Sequence, residues 1–291
     1  MKFSNFFLFV IPVLIWGSTW FAITFQLGEV DPLFSVSYRF FLAGVLLLLY
    51  CLLLGKSLKY SLKQHLWMAL QGQLLFGLNY WMVYVSEYYL TSALVAIAFS
   101  LLIFLNIFFS AILLGDKIPR KIIYGAILGV SGTIIIFWPE LQNYTGGDDT
   151  YVGIIYCGLS IVFASLGNIT SAHNQKKNLP VIQTNAFGML YGSLGMLTIA
   201  LLSGKWFSFS TDPGYLISLA YLSIFGSIIA FSTYLTLIGR IGPAKGAYVI
   251  IVIPIIALLI STIFEDYILS TYSFAGIAMI LLGNAVAMRK T

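Results

Sequence analysis

The chain has 291 residues, of which 60% are hydrophobic and 9% are charged, and its formal net charge is +5 at pH 7. Soluble domains carry roughly 25% charged residues, so this composition excludes a soluble enzyme or binding domain and indicates an integral membrane protein. Its two cysteines, Cys51 and Cys157, lie in apolar stretches, which predicts neither a disulfide framework nor a metal site.

The N-terminal stretch MKFSNFFLFVIPVLIWGSTWFA combines one Lys with an apolar core, as a signal peptide does. It contains no A-x-A cleavage site, and its apolar run continues to about Gln26, which is long enough to cross a bilayer. We therefore expect a retained first transmembrane helix.

Further apolar runs follow along the chain, each long enough to cross about 30 Å of hydrocarbon. They predict an all-α membrane protein with ten transmembrane helices. The predicted spans are 6–26, 33–54, 66–86, 92–114, 122–138, 151–171, 182–203, 214–237, 244–264 and 271–288.

The charged residues indicate the direction of these spans. With a cytoplasmic N-terminus, thirteen of the fifteen Lys and Arg residues fall on the cytoplasmic side; Lys205 falls outside and Arg39 lies within the second span. Most acidic residues fall outside, in agreement with the positive-inside rule. We therefore expect a multi-pass protein of the bacterial inner membrane with both termini in the cytoplasm. The basic residues are explained by topology, and no nucleic-acid partner is expected.

The two halves of the sequence resemble each other. Gly125 and Gly132 in YGAILGVSGTIII have counterparts 151 residues later, Gly276 and Gly283 in FAGIAMILLGNAV. The pair Phe76-Gly77 likewise matches Phe225-Gly226. Because each copy has five spans, an odd number, the copies must cross the membrane in opposite senses. This predicts two inverted five-helix repeats, over 1–140 and 150–291, as found in transporters.

Four stretches together resemble the EamA-type permeases of the drug/metabolite transporter superfamily. They are WGSTWFA, DPLFSVSYRFFLAG, LTSALVAIAFSLLIFLNIFFSAILLGDKI and YGAILGVSGTIII, from the first, second, fourth and fifth spans. The resemblance covers nearly the whole chain. It implies a ten-helix inner-membrane carrier for amino acids, other small metabolites or drugs, often working outward.

The sequence also limits how transport is driven. It contains no GxxxxGK[ST] phosphate-binding loop, and every Asp and Glu lies at a predicted helix end or in a loop. ATP drive and a proton relay at mid-membrane are therefore not expected, and no cofactor or metal is predicted. Movement down a gradient remains open, as does coupling through a rim group such as Glu87.

Polar and aromatic side chains within the spans are candidates for binding a small-molecule substrate. They are Trp16, Ser18, Thr19, Arg39, Asn79, Trp81, Tyr84, Asn106, Asn168 and Tyr248. Structural alternatives stay open for most of them. The aromatic residues of the third span also suit helix packing and an interfacial belt, and small residues beside Trp16 and Asn168 also suit close helix packing.

Three residues are candidates for gating: Arg39, Glu87 and Pro254. Pro254 frees a backbone carbonyl inside the ninth span. Arg39 lies about 9 Å into the membrane from the outer end of the second span. It has three possible roles: an anchor that snorkels or forms an ion pair, an outer gate that pairs with Glu87, or a ligand for a substrate carboxylate.

The sequence thus predicts a secondary carrier of a small metabolite, an amino acid or a related compound, that exports it by alternating access between two halves in the lipid bilayer. An importer is the alternative within the same class, and a membrane enzyme or scaffold is the alternative from another class. The sequence leaves the oligomeric state open.

Overall fold

The computed structural model describes residues 4–115, 120–136, 138–139, 149–242, 246, 248–265 and 270–288. These residues are almost entirely helical and form no strand. In the first half, α1 is Asn5–Thr24, α2 is Pro32–Leu53, α3 joins Leu62–Gln71, Gly72–Leu78 and Asn79–Ser86, α4 is Ser92–Leu114, and α5 is Arg120–Ile136. In the second half, α6 is Thr150–Lys176, α7 is Val181–Leu202, α8 is Pro213–Ile241, α9 is Tyr248–Phe264, and α10 is Thr271–Met288.

Length and composition qualify six of these helices to cross a membrane, namely α1, α2, α4, α6, α7 and α8. Shorter apolar helices lie within α5, α9 and α10. Their surfaces fit a bilayer: exposed side chains include Leu53 and Leu202, more than four-fifths exposed, whereas the polar residues Asn79, Asn106 and Ser165 are buried. This arrangement is the reverse of a soluble protein, because lipid replaces water around the helices.

Local sequence sets several helix starts. Asp31 and Asp212 each precede a proline at the first helical position, and their carboxylates accept the backbone N–H of Leu33 and Tyr215. Such caps satisfy donors that have no partner within the helix. Ser61 and Gln64 form a capping box at the start of α3. Gly115, with φ of 77°, ends α4 in the left-handed conformation.

Two helices contain a π-helical segment, Gly72–Leu78 in α3 and Leu222–Ile229 in α8. The two segments begin 150 residues apart, close to the interval that separates the matching glycines of the two sequence halves. A π segment leaves local irregularity in the backbone hydrogen bonding and is common at functional sites. In α8, the Ser227 hydroxyl donates to the carbonyl of Leu222, five residues earlier, at 2.9 Å.

The closest helix contacts join the two halves. Glycines bring α5 against α10: a Cβ at Gly132 would lie 2.6 Å from the Gly276 carbonyl oxygen, and one at Gly283 would lie 2.5 Å from that of Gly125. Residue numbers fall along one helix as they rise along the other, so these helices run antiparallel. Helices α2 and α7 are joined by Ser37 and Ser193, each of which donates its hydroxyl to the carbonyl of the other, at 3.1 and 2.8 Å.

Candidate functional site

A cavity of about 50 Å³ lies among six helices. Its walls come from α1, α3, α4, α6, α8 and α9. The lining residues are Trp16, Thr19, Trp20, Ile23, Leu75, Asn79, Tyr80, Val83, Ala96, Phe99, Leu102, Ala164, Asn168, Phe231, Tyr234, Ile250 and Ile253.

Aromatic side chains form much of the wall. The Trp16 ring lies 4.8 Å from that of Phe231 and 5.0 Å from that of Tyr234, both nearly edge-on. The Trp16 indole N–H donates to the carbonyl of Gly226, in the π segment of α8, at 3.0 Å. Trp20 packs against Phe99 with ring centroids 4.8 Å apart. Edge-to-face pairs of this kind hold aromatic rings in defined orientations, so the wall is preformed.

Polar atoms without a protein partner border this aromatic wall. Asn79 donates its amide to the carbonyl of Leu75 at 3.2 Å, and Asn168 donates to the Asn106 side-chain oxygen at 3.5 Å. The amide oxygens of Asn79 and Asn168 and the Trp20 indole N–H are buried and accept or donate no hydrogen bond. Buried polar atoms normally have partners, so these atoms can bind a polar ligand.

Among the described residues no charged side chain lines the cavity, so this part of the wall is neutral. Arg39 lies just behind it. Its guanidinium carbon stands 4.4 Å from the centre of the Tyr80 ring, and Tyr80 lines the cavity. Arg39 Nε donates to the Ser227 hydroxyl at 3.0 Å, and Nη1 donates to the Tyr84 hydroxyl at 3.4 Å.

The snorkelling role of Arg39 is wrong. Its side chain is completely buried and lies among α2, α3 and α8. A snorkelling arginine would extend along its own helix to the membrane surface. Arg39 also forms no ion pair with Glu87, because none of its guanidinium nitrogens lies within 4.0 Å of a Glu87 carboxylate oxygen.

The structure brings together four of the residues predicted to bind substrate, Trp16, Thr19, Asn79 and Asn168, in one cavity. Asn106 lies beside it and accepts the Ser165 hydroxyl at 2.9 Å as well as the Asn168 amide.

Three other predicted ligands lie outside the cavity wall. Ser18 turns to the Tyr221 hydroxyl at 2.6 Å, and Trp81 packs edge-on against Tyr156 with centroids 5.9 Å apart. Tyr84 is buried and donates to the Gln26 side-chain oxygen at 2.8 Å. For Trp81 and Tyr84 the reason is geometric, because α3 turns Asn79, Tyr80 and Val83 towards the cavity, whereas Trp81 and Tyr84 lie on other sides of this helix.

The two remaining predicted residues belong to α9. Pro254 is buried within this helix, next to the lining residue Ile253, and α9 continues through it to Phe264. Tyr248 begins α9, but its side chain lies outside the described residues.

Some lining residues were not predicted from the sequence. Trp20, Phe99 and Phe231 belong to this group. Trp20 follows Trp16 at a spacing of four, which places both on one helix face, so that spacing was a usable signal. Nothing comparable marks Phe99 or Phe231 among the many apolar residues of their helices.

The chain as a whole is similar to several known proteins. The model of the EamA-like transporter family matches residues 4–138 and again 151–289. The "Uncharacterized inner membrane transporter YedA" of Escherichia coli (strain K12) is 29% identical over 251 residues, which cover 86% of this chain and 79% of the relative. An "Uncharacterized transporter" of Archaeoglobus fulgidus is 23% identical and covers 96% of this chain and 97% of its own length.

Two further similarities extend along almost the whole chain. "Protein PagO" of Salmonella typhimurium is 24% identical over 283 residues, which cover 95% of this chain and 90% of the relative. A solved crystal structure of a protein with 20% identity superposes with a TM-score of 0.71 and covers 98% of this chain and 96% of its own. At that identity the likeness shows a shared fold.

Proposed function

Because the chain belongs to the EamA-like transporter family and is a multi-pass membrane transporter of that type, we propose that it is a secondary carrier that exports a small metabolite. The substrate class is an amino acid or a related compound. The observation that carries this proposal is the cavity, whose aromatic wall is bordered by amide oxygens without a partner. Such a site binds an apolar body and a few hydrogen-bonding groups.

The proposed mechanism is alternating access between two inverted repeats of five transmembrane helices. Three features of the described residues support it. The π segments of α3 and α8 occupy equivalent places in the two halves. Gly125 and Gly132 in the first half correspond to Gly276 and Gly283 in the second half. The contact between Gly132 and Gly276 therefore corresponds to the contact between Gly283 and Gly125, so the packing of α5 against α10 is symmetric. Equivalent helices that pack antiparallel are expected when two copies insert in opposite senses.

Transport by purified protein in liposomes tests the proposal. Liposomes loaded with labelled amino acids and related metabolites should release at least one compound faster than protein-free liposomes do. A membrane enzyme or scaffold would release none across the panel. Export rather than import is tested in cells, because deletion of an exporter raises the internal content of its substrate and deletion of an importer lowers it.

A matched pair of variants tests whether transport uses the cavity. Trp20→Phe keeps an aromatic ring in the wall but removes the unpartnered indole N–H, so it should lower the transport rate about tenfold, the loss of roughly one hydrogen bond. Trp81→Phe removes an indole N–H outside the wall and should transport at the wild-type rate. Equal rates for both variants would argue against this cavity as the transport site.

A further inference from the structure

Arg39 is a permanent charge with unused hydrogen-bonding capacity. A guanidinium carries five N–H donors, and here Nε binds Ser227 and Nη1 binds Tyr84. Nη2 is buried and has no hydrogen-bond partner. The Arg39 side chain is 0% exposed, so bulk water does not satisfy this nitrogen.

Arg39 also lacks an ion-pair partner. Lys205 and Asp31 form an ion pair at the protein surface, and among the residues that the structure describes no carboxylate lies within 4.0 Å of the Arg39 guanidinium. The rings of Tyr80 and Phe40, at 4.4 and 5.1 Å from the guanidinium carbon, compensate the charge only in part. Arginine does not lose its proton in proteins, and a buried charge at membrane depth usually has a partner. An anion would complete the partners of this guanidinium.

The unpartnered nitrogen lies beside Gly226, close to residues that line the cavity. A methyl group built on Gly226 would lie 3.1 Å from Arg39 Nη2 and 2.9 Å from the Thr19 methyl carbon. Thr19 lines the cavity, as does Tyr80, which covers the guanidinium. The absence of a side chain at Gly226 thus leaves Nη2 next to the wall residue Thr19, one layer behind the cavity wall.

We propose that Arg39 Nη2 binds the carboxylate of the transported substrate. This inference rests on the proposed function and narrows its substrate class to organic carboxylates with an apolar or aromatic body. Charge-assisted hydrogen bonds from a guanidinium to a carboxylate are short and strong. The free amide oxygens of Asn79 and Asn168 accept N–H groups, so the class includes amino acids with a free carboxylate.

Equilibrium binding to the purified protein in detergent tests this subsite without requiring transport. The probes are amino acids paired with their primary amides, such as L-phenylalanine with L-phenylalaninamide and L-leucine with L-leucinamide, because each pair differs only in the carboxylate. At least one carboxylate should bind about tenfold or more tightly than its amide, the gain expected of a charge-assisted bond. If no carboxylate in the panel binds more tightly than its amide, the inference is overturned.

Variants of Arg39 and Gly226 test whether Arg39 produces the preference for the carboxylate over the amide. Arg39→Gln should abolish the preference for the carboxylate, and Arg39→Lys should restore it only in part, because an ammonium lacks the planar donor geometry. Gly226→Ala keeps the charge but places a methyl group beside Nη2, and it should reduce the preference at least about threefold by blocking the approach. Gly77→Ala is its control: this glycine is the repeat counterpart, and its Cβ would meet Met196 and Gly192 at 3.1 and 3.3 Å, away from Arg39.

The results separate this inference from the proposed function. A carboxylate preference that persists in folded Arg39→Gln overturns the inference even if transport is normal. A preference that depends on Arg39 in a protein that moves no compound across liposomes supports the subsite and contradicts the carrier function. Size-exclusion chromatography of each variant identifies a loss of folding. If Arg39→Gln does not fold, the comparison of Gly226→Ala with Gly77→Ala decides. If these two variants show equal preference for the carboxylate over the amide, the inference is overturned.

Discussion

Glu87 is an acidic residue in a buried position that disfavours its negative charge. It lies one residue beyond the end of α3 at Ser86, and both of its carboxylate oxygens are buried without a hydrogen-bond partner. The C-terminal end of a helix disfavours a negative charge. Burial raises the pKa of Glu87 well above its ordinary value, the charge of Glu265 raises it further, and Arg39 acts in the opposite direction. Glu87 is therefore expected to keep its proton in the folded protein.

The raised pKa predicts how stability depends on pH. Above the ordinary glutamate value of 4.5, the unfolded chain releases this proton while the folded protein retains it, so Glu87 destabilises the fold progressively as pH rises. Glu87→Gln removes this effect. We expect its thermal midpoint in detergent to match that of the wild type near pH 4.5 and to exceed it increasingly up to pH 8.

The control for this prediction is Asp149→Asn, which removes one negative charge at an exposed site. A difference between Glu87→Gln and the wild type that stays constant from pH 4.5 to 8 would contradict a buried, protonated Glu87.

At the scale of single helices, close glycine contacts fix how α5 and α10 pack. The neighbours of Gly132 and Gly283 include backbone atoms, which cannot move aside as a flexible side chain can. Small residues in transmembrane helices permit this close approach, which gains van der Waals contact. Glycines, which have no side chain, thus specify the pairing of α5 with α10.

Gly132→Ala should weaken this helix pair. The added methyl group would lie 2.6 Å from the Gly276 carbonyl oxygen, and overpacking of this kind costs about 1–3 kcal/mol. We expect a lower thermal midpoint in detergent. Gly158→Ala is the control, since a Cβ at Gly158 meets nothing within 4 Å and alanine favours a helix over glycine by about 1 kcal/mol. A Gly132→Ala protein as stable as Gly158→Ala would exclude a tight contact here.

The sequence predicted the helices far better than their irregularities. Long apolar runs were sufficient to predict an all-helical membrane protein, and the EamA resemblance is confirmed by the family match. The π segments in α3 and α8 were not predicted, because one extra residue in a helical turn has no signature in composition. The 3₁₀ turn Phe99–Leu101 within α4 was missed for the same reason.

The candidate site was predicted in part. Depth in the membrane follows from position along a span, so Trp16, Asn79 and Asn168 could be predicted as residues at the level of a cavity. The direction of a side chain could not, because α2 is apolar on nearly every side and no polar face shows where Arg39 points. Its partner Ser227 is 188 residues away along the chain, and no local pattern connects them.

At the scale of the whole molecule, the surface and the charge pattern predict one orientation in the bilayer. The loop between α2 and α3 contains Lys56 and Lys59, and the loop between α7 and α8 contains Lys205, which pairs with Asp31 at the start of α2. The positive-inside rule places the first loop in the cytoplasm and the second outside.

Cysteine labelling tests this orientation. In a Cys51→Ala, Cys157→Ala background, Trp206→Cys should react with a membrane-impermeant maleimide in intact cells, because this residue is 92% exposed in the α7–α8 loop. Ser57→Cys, exposed in the α2–α3 loop, should react only after the membrane is permeabilised. The reverse pattern of labelling would invert the predicted topology.

Because α2 packs against α7, a helix of the other half, α2 is synthesised before its partner helix exists. Ser193, which exchanges hydrogen bonds with Ser37, follows it by 156 residues, an interval on the order of 10–30 s at the usual rate of translation. Ser227 reaches Arg39 later still. Until then the guanidinium has only groups of its own half around it. Each round of biosynthesis therefore passes through an unfinished chain in which Ser37 and Arg39 still lack their partners from the second half.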